Sequence, residues 1–350
     1  KNIDKVLMHG QYIMGPEVKE FEIKLENYTN SKHVISCASG TDALVLALMA
    51  YNIGPGDVVF CPAFTFPATA EAIVLLGAIP YFVDVDERTF NISIESLNKA
   101  INKVLKENLL SMKAIIAVDL YGLPADYNEL NHISKKNNLV LISDAAQSFG
   151  AEYNDQKVGV LSDITCTSFF PAKPLGCYGD GGALFTNNDK IADKLKSLRV
   201  HGKGKSKYDI DYIGLNSRLD TIQAAVLLAK IEGFEWEFEQ RNRIAKNYSD
   251  ALKNYYSIPI IADIKKSIWA QYTIRHEDRG LIQEILKEKG VPTMVYYPIP
   301  MHLQLAYKKF NREELVNSVK LSKEVFSLPM YPDMSEDIQN NIISCLIDIL

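Results

Sequence analysis

The sequence predicts an α/β fold in which a mostly parallel central sheet carries helices on both faces. Short apolar runs with the composition of strands alternate with segments of helical periodicity, and each run leads into a loop rich in Gly, Pro, Ser or Asp. This alternation favours right-handed crossovers, which place helices on both sides of a parallel sheet. Ligands of such sheets bind beyond the carboxyl ends of the strands, so the residues that follow each run are the candidates for chemistry.

Five runs are predicted to be strands because they are apolar, short and bounded by turn residues. In chain order they are HVISCASG (33–40), GDVVFCPAF (56–64), IPYFVDVD (79–86), KAIIAVDLYG (113–122) and LVLISDAAQ (139–147). A weaker strand candidate, DITC (163–166), follows them. Helical periodicity marks TDALVLALMAYNI (41–53) and ATAEAIVLLGA (68–78), which lie between strands of the series.

Two domains are predicted from the length of 350 residues, which exceeds the usual size of one compact core. A long charged stretch of helical character, IEGFEWEFEQRNRIAKNYSDALKNY (231–255), is expected to bridge them. We therefore expect a large domain over 1–240, including the N-terminal segment, and a smaller C-terminal domain over 241–350.

Composition and charge exclude several function classes. The chain is 47% hydrophobic and 23% charged, and 38 Lys and Arg against 43 Asp and Glu give a net charge of −5, so no basic field attracts nucleic acid. No apolar run reaches membrane-spanning length and the first residues lack the apolar core of a secretory signal, so we expect no membrane contact and a cytoplasmic location. The five Cys and six His are scattered, which predicts neither a disulfide framework nor a metal site.

Polar residues with catalytic potential follow two of the strand candidates. Asp144 comes directly after LVLIS, and an alternative role for it is to cap the following helix. Ser168 and Lys173 follow DITC and precede a glycine cluster, Gly176, Gly179, Gly181 and Gly182. Taken alone, Lys173 has the alternative interpretation of a solvated surface lysine, and the glycines that of turn residues.

One chemistry, that of pyridoxal 5′-phosphate (PLP), uses all of these residues. Its aldehyde requires an amine such as Lys173, and its pyridine nitrogen requires a carboxylate such as Asp144 to stay protonated. Its phosphate requires hydroxyl and backbone N–H groups. Gly40 and Thr41 at the predicted start of a helix provide the N–H groups, and Ser168 provides a hydroxyl.

Phe66 follows another predicted strand, in PAFTFPATAE, where a flat ring suits the face of the cofactor. Its simpler interpretation is a buried core phenylalanine, just as Gly40 and Thr41 alone suggest an ordinary helix cap. The conjunction of these features at separate strand ends, rather than any single one, favours PLP.

The chain resembles the DegT/DnrJ/EryC1/StrS sugar aminotransferases, a PLP-dependent family of fold type I, over nearly its whole length. The motifs that carry the resemblance occur in family order: GPEVKEFE, SGTDAL, PAFTFPATAE, DLYGLPAD, DAAQSFGA, SFFPAKPLGCYGDGGA, GLNSRLDTIQAAVL and YYPIPMHLQ. The resemblance implies a large PLP-binding domain with a smaller C-terminal domain of the α+β class. It also implies transamination, because related sugar dehydratases have histidine where this chain has Lys173.

The resemblance assigns catalytic roles to Lys173 and Asp144 and a cofactor-binding role to Gln147. Lys173 matches the lysine that forms the Schiff base, Asp144 the partner of the pyridine nitrogen, and Gln147 a contact to the ring hydroxyl. Glutamate, as amino donor, would displace Lys173, whose freed amine then acts as the base that moves the proton. A keto-sugar would receive the amino group by the reverse shift.

Other positions match residues that hold the cofactor. Gly40, Thr41 and Ser168 match phosphate-binding residues, and Phe66 matches a residue that lies against the ring. Asn216 resembles an asparagine that reaches the phosphate of the neighbouring subunit. The resemblance therefore implies a homodimer with shared active sites.

The implied second substrate is a nucleotide-linked keto-sugar. FFPAKPLGCYGDGGA and HGKGKSKYDIDYIGLNSRLDTIQAA are most similar to the branch that aminates carbon 3 of UDP-linked 2-acetamido-3-keto hexuronic acids in surface-polysaccharide synthesis. The runner-up substrate is a 4-keto-6-deoxy nucleotide sugar. Arg218 is a candidate partner for a substrate carboxylate, and Tyr297 and His302 match sugar-contacting positions. A structural ion pair, a packed tyrosine and a core histidine are the alternatives for these three.

A basic loop is a further candidate for contact with the diphosphate, and a mobile solvated loop is the alternative. Its basic residues are Arg199, His201, Lys203, Lys205 and Lys207.

Two other function classes compete with an aminotransferase. An NAD-dependent oxidoreductase would need a G-x-G-x-x-G turn after the first strand, and SCASGTDAL contains a single glycine. A non-catalytic PLP-binding regulator would keep the cofactor residues without needing the substrate groups. A half-reaction with glutamate separates that regulator from an enzyme.

Overall fold

The computed structural model describes residues 1–107, 110–206 and 208–350. The five predicted apolar runs and the DITC candidate all form strands. The strands are β1 His33–Cys37, β2 Asp57–Pro62, β3 Ile79–Val83, β4 Ser111–Val118, β5 Val140–Asp144, β6 Glu152–Tyr153, β7 Gln156–Lys157, β8 Ile164–Ser168, β9 Gly182–Thr186, β10 Lys265–Lys266, β11 Tyr272–Arg275 and β12 Val325–Leu328.

The helices likewise include the three that the sequence predicts within 41–53, 68–78 and 231–255. They are α1 Asn2–His9, α2 Pro16–Thr29, α3 Gly40–Ala50, α4 Pro67–Leu75, α5 Ile94–Glu107, α6 Tyr127–Asn137, α7 Asp189–Leu198, α8 Thr221–Lys230, α9 Phe234–Leu252, α10 Arg279–Glu288, α11 Val316–Glu324 and α12 Glu336–Ile347. Within the described ranges, no helix combines the length and the apolar character that crossing a membrane requires.

The central sheet of the described chain contains seven strands in the order β1-β9-β8-β5-β4-β2-β3. Neighbours from β8 to β3 pair in parallel, whereas β9 runs antiparallel to both β1 and β8. The prediction of a mostly parallel sheet is confirmed. In this sheet, the carboxyl ends of all strands except β9 therefore lie at the same edge.

Both faces of this sheet are buried, as the alternation along β2 illustrates. Val58 and Phe60 belong to one apolar core, and Val59 and Cys61 belong to the other. Successive side chains of a strand point to opposite faces, so a run that is apolar throughout needs cover on both sides. Residues of α2, α5, α6 and α8 pack in the first core, and residues of α3, α4 and α7 in the second. The prediction of helices on both faces is confirmed.

The C-terminal part of the chain builds a third core around the antiparallel pair β11 and β12. Residues of α9, α10 and α12 cover this pair. α9 runs through residue 240, with Phe234 in the first core and Ile244 in the third. The boundary between 1–240 and 241–350 stays a prediction.

Candidate active site

Three segments meet at the carboxyl edge of the central sheet. β5 ends at Asp144 and β8 ends at Ser168, and these two strands are hydrogen-bonded neighbours. α3 begins at Gly40, where a Cβ atom would lie 2.7 Å from Ser168 Cβ. The start of the helix therefore packs directly on the end of β8, and a side chain at Gly40 would push them apart.

Asp144 presents a buried carboxylate at this edge. Its Oδ2 accepts a hydrogen bond of 2.7 Å from Thr69 Oγ1, and its Oδ1 accepts one of 3.3 Å from the Ala146 N–H. Burial raises the pKa of Asp144, and these donors together with the charge of Lys173 oppose the rise. A cationic or N–H-donating ligand beside the carboxylate would offset the cost of burying it, which fits a protonated pyridine nitrogen.

Lys173 lies in the turn that follows β8. Its N–H donates to the Phe170 carbonyl at 2.8 Å, and Gly176 closes the turn where a Cβ atom would lie 2.5 Å from the Pro171 carbonyl oxygen. The side chain is half-buried, and within the described ranges its amine has no hydrogen-bond or ion-pair partner. Burial lowers the pKa of Lys173, and the Asp144 charge opposes that effect. An unpartnered amine with a lowered pKa fits the Schiff-base lysine of PLP.

The start of α3 is suited to an anion. Ser39 caps the helix by accepting from the Asp42 N–H at 3.0 Å, while Gly40 and Thr41 belong to the first turn, whose N–H groups have no carbonyl partner within the helix. The helix dipole favours negative charge at the same point. Ser168 Oγ accepts from the Phe170 N–H at 3.2 Å and keeps its own proton for donation. This donor set fits the phosphate of PLP.

Gln147 lies after β5 and is joined to residues distant in the chain. Its Oε1 accepts from the Tyr121 N–H at 2.6 Å, and its Nε2 donates to the Tyr297 hydroxyl at 3.1 Å. Phe66 precedes α4, is 53% exposed and places its ring centroid 6.1 Å from that of Tyr297. An exposed ring here is free to lie against a ligand and is not the buried core residue of the simpler interpretation.

Asn216 and Arg218 precede α8. Asn216 is exposed, and its Oδ1 accepts from Arg218 Nη2 at 2.5 Å. Within the described ranges, neither side chain forms a hydrogen bond or ion pair with Lys173, Asp144 or Ser168. Their predicted roles toward cofactor and substrate therefore find no support from contacts inside one chain.

His302 is almost entirely buried, with 2% of its surface exposed. It follows Met301, whose N–H donates to the Ala63 carbonyl at 2.7 Å, so its segment is attached just after β2. Its Nδ1 is buried without a hydrogen-bond partner. Burial lowers the pKa of His302, and the charge of Asp84 opposes that effect. The lowered pKa favours the neutral ring, which has an unused polar atom.

Arg199, in the basic loop, has a structural role. It is buried, and its Nη1 donates to Glu22 Oε1 at 2.6 Å and to the Ser36 carbonyl at 2.7 Å. Its charge is therefore not available to a diphosphate. His201, Lys203 and Lys205 lie in the loop that follows, and Lys207 lies outside the described residues.

The comparison with known proteins favours an aminotransferase over an oxidoreductase. A model of the DegT/DnrJ/EryC1/StrS aminotransferase family matches residues 1–347. The chain belongs to this aminotransferase family. The predicted family, fold type, enzyme class and PLP dependence are confirmed, and solved relatives contain PLP or pyridoxamine phosphate.

Individual relatives cover nearly the whole chain. The UDP-2-acetamido-2-deoxy-3-oxo-D-glucuronate aminotransferase of Pseudomonas aeruginosa is 47% identical, over 94% of this chain and 90% of its own length. A pleiotropic regulatory protein of Geobacillus stearothermophilus is 42% identical, over 97% of this chain and 91% of its own. The crystal structure of a DegT DnrJ EryC1 StrS aminotransferase from Brucella abortus superposes with a TM-score of 0.98 at 49% identity, over 99% of this chain and 94% of that chain.

Two residues at the family site were not found from the sequence. Thr69 lies in the quoted PATAE segment, in the first turn of α4, and its Oγ1 donates to Asp144 Oδ2 and lies 3.1 Å from Thr65 Oγ1. Tyr121, in DLYGLPAD, supports Gln147 through its backbone. No local sequence pattern predicts a backbone donor of this kind. The Tyr121 backbone has a left-handed φ of 58°, which is seen only in the folded chain.

Proposed function

We propose that this aminotransferase moves the amino group of glutamate to a nucleotide-linked keto-sugar. The observation that carries the proposal is that two groups lie at the edge of the sheet where ligands bind. They are the amine of Lys173, which has no hydrogen-bond partner in the described ranges, and the buried carboxylate of Asp144. The proposed substrates, glutamate and a nucleotide sugar, are small polar metabolites, which supports the expected cytoplasmic location.

We further propose UDP-2-acetamido-2-deoxy-3-keto-hexuronic acid as the sugar. The Pseudomonas aeruginosa relative named for such a substrate supports this choice, because its 47% identity extends over most of both chains. Sugars of this class enter surface polysaccharides, so we place the enzyme in the synthesis of lipopolysaccharide and its O-antigen.

The chain's own residues supply binding, proton transfer and charge. When bound, PLP supplies an aldehyde for the incoming amine and a cationic ring that withdraws electrons. Burial lowers the pKa of Lys173, so its amine is uncharged more often than that of a surface lysine and suits the roles of nucleophile and base. Asp144 would hold the proton on the pyridine nitrogen, and Gly40, Thr41 and Ser168 would anchor the phosphate.

We propose a homodimer in which Asn216 reaches the phosphate of the neighbouring subunit. An exposed apolar segment beside the start of α8 supports a second copy as the partner: Leu7, Met8, Tyr12, Ile13 and Met14 are 40–88% exposed. This segment is joined to the start of α8 by hydrogen bonds from the Thr221 N–H to the Tyr12 carbonyl and from the Gly15 N–H to Thr221 Oγ1. Covering it would bring a second chain to Asn216 and Arg218.

Arg218 is the proposed partner of the sugar carboxylate. A planar guanidinium matches the two oxygens of a carboxylate better than an ammonium does. Its bond to Asn216 Oδ1 uses one edge of the guanidinium and leaves other N–H groups for a ligand. In the dimer, Arg218 would then serve the same neighbouring site as Asn216, with Tyr297 and His302 toward the hydroxyl and acetamido groups.

A regulatory role is the second candidate function, because one relative is named a pleiotropic regulatory protein. The two candidates differ in the fate of the cofactor after glutamate is added. We expect the absorbance of the bound aldehyde form to be replaced by that of the amine form, with release of 2-oxoglutarate. A panel of nucleotide keto-sugars, including the 3-keto uronic acid and the 4-keto-6-deoxy sugar, should then restore the first spectrum with one of them. An unchanged spectrum with glutamate would favour the regulator.

A further inference from the structure

Tyr121 connects two residues of the site that lie far apart in the chain. Its N–H donates to Gln147 Oε1 at 2.6 Å, and its hydroxyl donates to the carbonyl oxygen of Tyr296, the residue before Tyr297. Gln147 Nε2 in turn donates to the Tyr297 hydroxyl at 3.1 Å. The main chain of Tyr121 therefore holds Gln147, and its side chain holds the segment that carries Tyr297. These two residues form the two ends of the Gln147–Tyr297 hydrogen bond.

These contacts determine the direction of each hydrogen bond. A backbone N–H can only donate, so the Gln147 atom that faces Tyr121 has to be the oxygen and the amide nitrogen has to face Tyr297. The Tyr297 hydroxyl accepts from that nitrogen and keeps its own proton for another acceptor. Burial raises the pKa of Tyr297, so the hydroxyl stays protonated. Gln147 also has a second N–H, and both side chains are thus available as donors.

The backbone of Tyr121 is held in this orientation from several sides. Tyr121 has a φ of 58°, which residues with side chains rarely adopt. The following residue, Gly122, has no room for a Cβ atom, which would lie 2.8 Å from Ile268 Cγ2, and its carbonyl accepts from the Ile268 N–H at 3.1 Å. The Phe90 ring packs edge-on against Tyr121 with the ring centroids 5.3 Å apart. The packing therefore keeps the N–H aimed at Gln147.

We propose that Tyr121 is a positioning residue that fixes Gln147 and Tyr297 as paired hydrogen-bond donors toward an acceptor oxygen of the bound ligands. This inference rests on the proposed function, because the ring hydroxyl oxygen of PLP, in its ionised form, is the acceptor expected beside Gln147. Hydrogen-bond donors at that oxygen would stabilise its negative charge. The proton that this oxygen shares with the Schiff-base nitrogen of Lys173 would then be released more easily.

The test uses the PLP-bound protein and the variant Tyr121→Phe, which keeps the ring and the backbone N–H and removes the hydroxyl. The absorbance of the bound cofactor is titrated with pH. We expect the midpoint of this titration to rise by about half a pH unit or more. Without the Tyr121 hydroxyl the Tyr297 segment is held less firmly, so the hydrogen bonds to the ring oxygen are weaker. The titratable side chains at this edge that are unchanged in the variant include Asp119, Asp144, Lys173 and Tyr297.

Tyr256→Phe is the matched control. Tyr256 has the same 5% exposure as Tyr121, and its hydroxyl also donates to a backbone carbonyl, that of Leu346 at 2.9 Å, in the third core. We expect this variant to keep the wild-type midpoint. A midpoint for Tyr121→Phe equal to that of wild type and control would overturn the inference, whatever the sugar specificity of the enzyme proves to be.

A double-mutant cycle tests whether Tyr121 acts through Tyr297. We expect Tyr121→Phe to reduce kcat/KM for the keto-sugar about tenfold in the wild-type background and less than about twofold in the Tyr297→Phe background. Equal losses in both backgrounds would contradict the inference. If no keto-sugar is aminated, the proposed function fails, and the titration of absorbance still decides the role of Tyr121.

Gln147→Glu provides a second variant if Tyr121→Phe does not fold. The carboxylate keeps an oxygen for the Tyr121 N–H and replaces the donor nitrogen by an acceptor, which turns the Tyr297 proton away from the ligand. We expect the midpoint to rise more than in Tyr121→Phe. An unchanged midpoint in a PLP-bound Gln147→Glu protein would overturn the assigned direction of the bonds.

Discussion

Thr69 Oγ1 donates a hydrogen bond of 2.7 Å to Asp144 Oδ2, which ties the first turn of α4 to the end of β5. Both residues are buried. The bond opposes the effect of burial, which raises the pKa of Asp144. Thr69 thus helps to keep the carboxylate charged at the point where a protonated pyridine nitrogen would bind.

Thr69→Val should slow the reaction with glutamate. The substitution keeps the shape of the side chain and leaves Asp144 Oδ2 without its donor, so the carboxylate is less able to hold a proton on the cofactor ring. We expect the rate of the glutamate half-reaction to fall about tenfold, since a hydrogen bond to a charged group contributes on the order of 1.5 kcal/mol. Stopped-flow absorbance measures this rate. Thr69→Ser, which keeps the hydroxyl, should lose much less, and equal rates for Val and Ser would refute the role of the hydroxyl.

Reduction with borohydride should attach the phosphopyridoxyl group to Lys173. Lys265 is the appropriate comparison, because it is also half-buried and burial also lowers its pKa. Its Nζ donates to the Pro124 carbonyl at 2.9 Å, whereas the Lys173 amine has no such partner in the described ranges. We expect peptide mapping to find the label on Lys173 alone. Lys173→Ala should still bind PLP and should lose nearly all turnover, and a label on Lys265 would reject the assignment.

Mixing two inactive variants should restore activity if the sites are shared. In a hybrid dimer of Lys173→Ala and Asn216→Ala chains, one site has both defects and the other has neither. We expect activity to appear as subunits exchange, measured as amination of the keto-sugar, with each variant incubated alone as the control. If native mass spectrometry finds hybrids and activity stays absent, Asn216 acts within its own chain.

Folding stability should carry a pH dependence that comes from Asp119. This residue is fully buried, and burial raises its pKa from 3.8 to about 6, although the Ser148 hydroxyl, the Ala125 N–H and the Tyr127 hydroxyl donate to it and oppose the rise. Between pH 3.8 and about pH 6, Asp119 keeps its proton in the folded chain and releases it in the unfolded chain. The free energy of unfolding therefore falls as the pH rises through this window, by about 3 kcal/mol for two pH units.

Asp119→Asn should remove that dependence. The amide keeps an acceptor for Ala125 and Tyr127 and presents an N–H to Ser148, and it does not ionise. We expect the stability of the variant relative to wild type to improve by about 2 kcal/mol from pH 4 to pH 7, as measured by urea unfolding. Parallel pH profiles for the two proteins would show that Asp119 does not titrate in this range.

Local pattern was sufficient to predict the strands and to place Asp144 and Ser168 at the ends of two of them. The runs that become β1 to β5 are apolar throughout because both sheet faces are covered, and this makes them conspicuous. β9 was not predicted, although all five of its residues are buried. Its antiparallel direction depends on pairing with both β1 and β8, which no feature within GALFT indicates.

Contacts between distant segments could not be predicted in the same way. Tyr121, Gln147 and Tyr297 meet because two parts of the chain pack together, and each residue has an ordinary local context in the sequence. Arg199 shows the opposite case, since its neighbours in the sequence suggested a solvated basic loop. Only the folded chain places it against Glu22, 177 positions away.

Removing Arg218 should discriminate between sugars. If the substrate is a hexuronic acid, its carboxylate needs a partner where water is largely excluded, because an unpaired buried anion is costly. We expect Arg218→Ala to weaken kcat/KM for the 3-keto uronic acid by about 2 to 5 kcal/mol more than for the matched sugar with an uncharged carbon 6, provided the ion pair is fully desolvated. The glutamate half-reaction should change less, and Arg218→Lys should recover only part of the loss because an ammonium does not match both carboxylate oxygens. Efficient amination of a 4-keto-6-deoxy nucleotide sugar by the wild-type enzyme, with no reaction of the 3-keto uronic acid, would reject the hexuronic substrate.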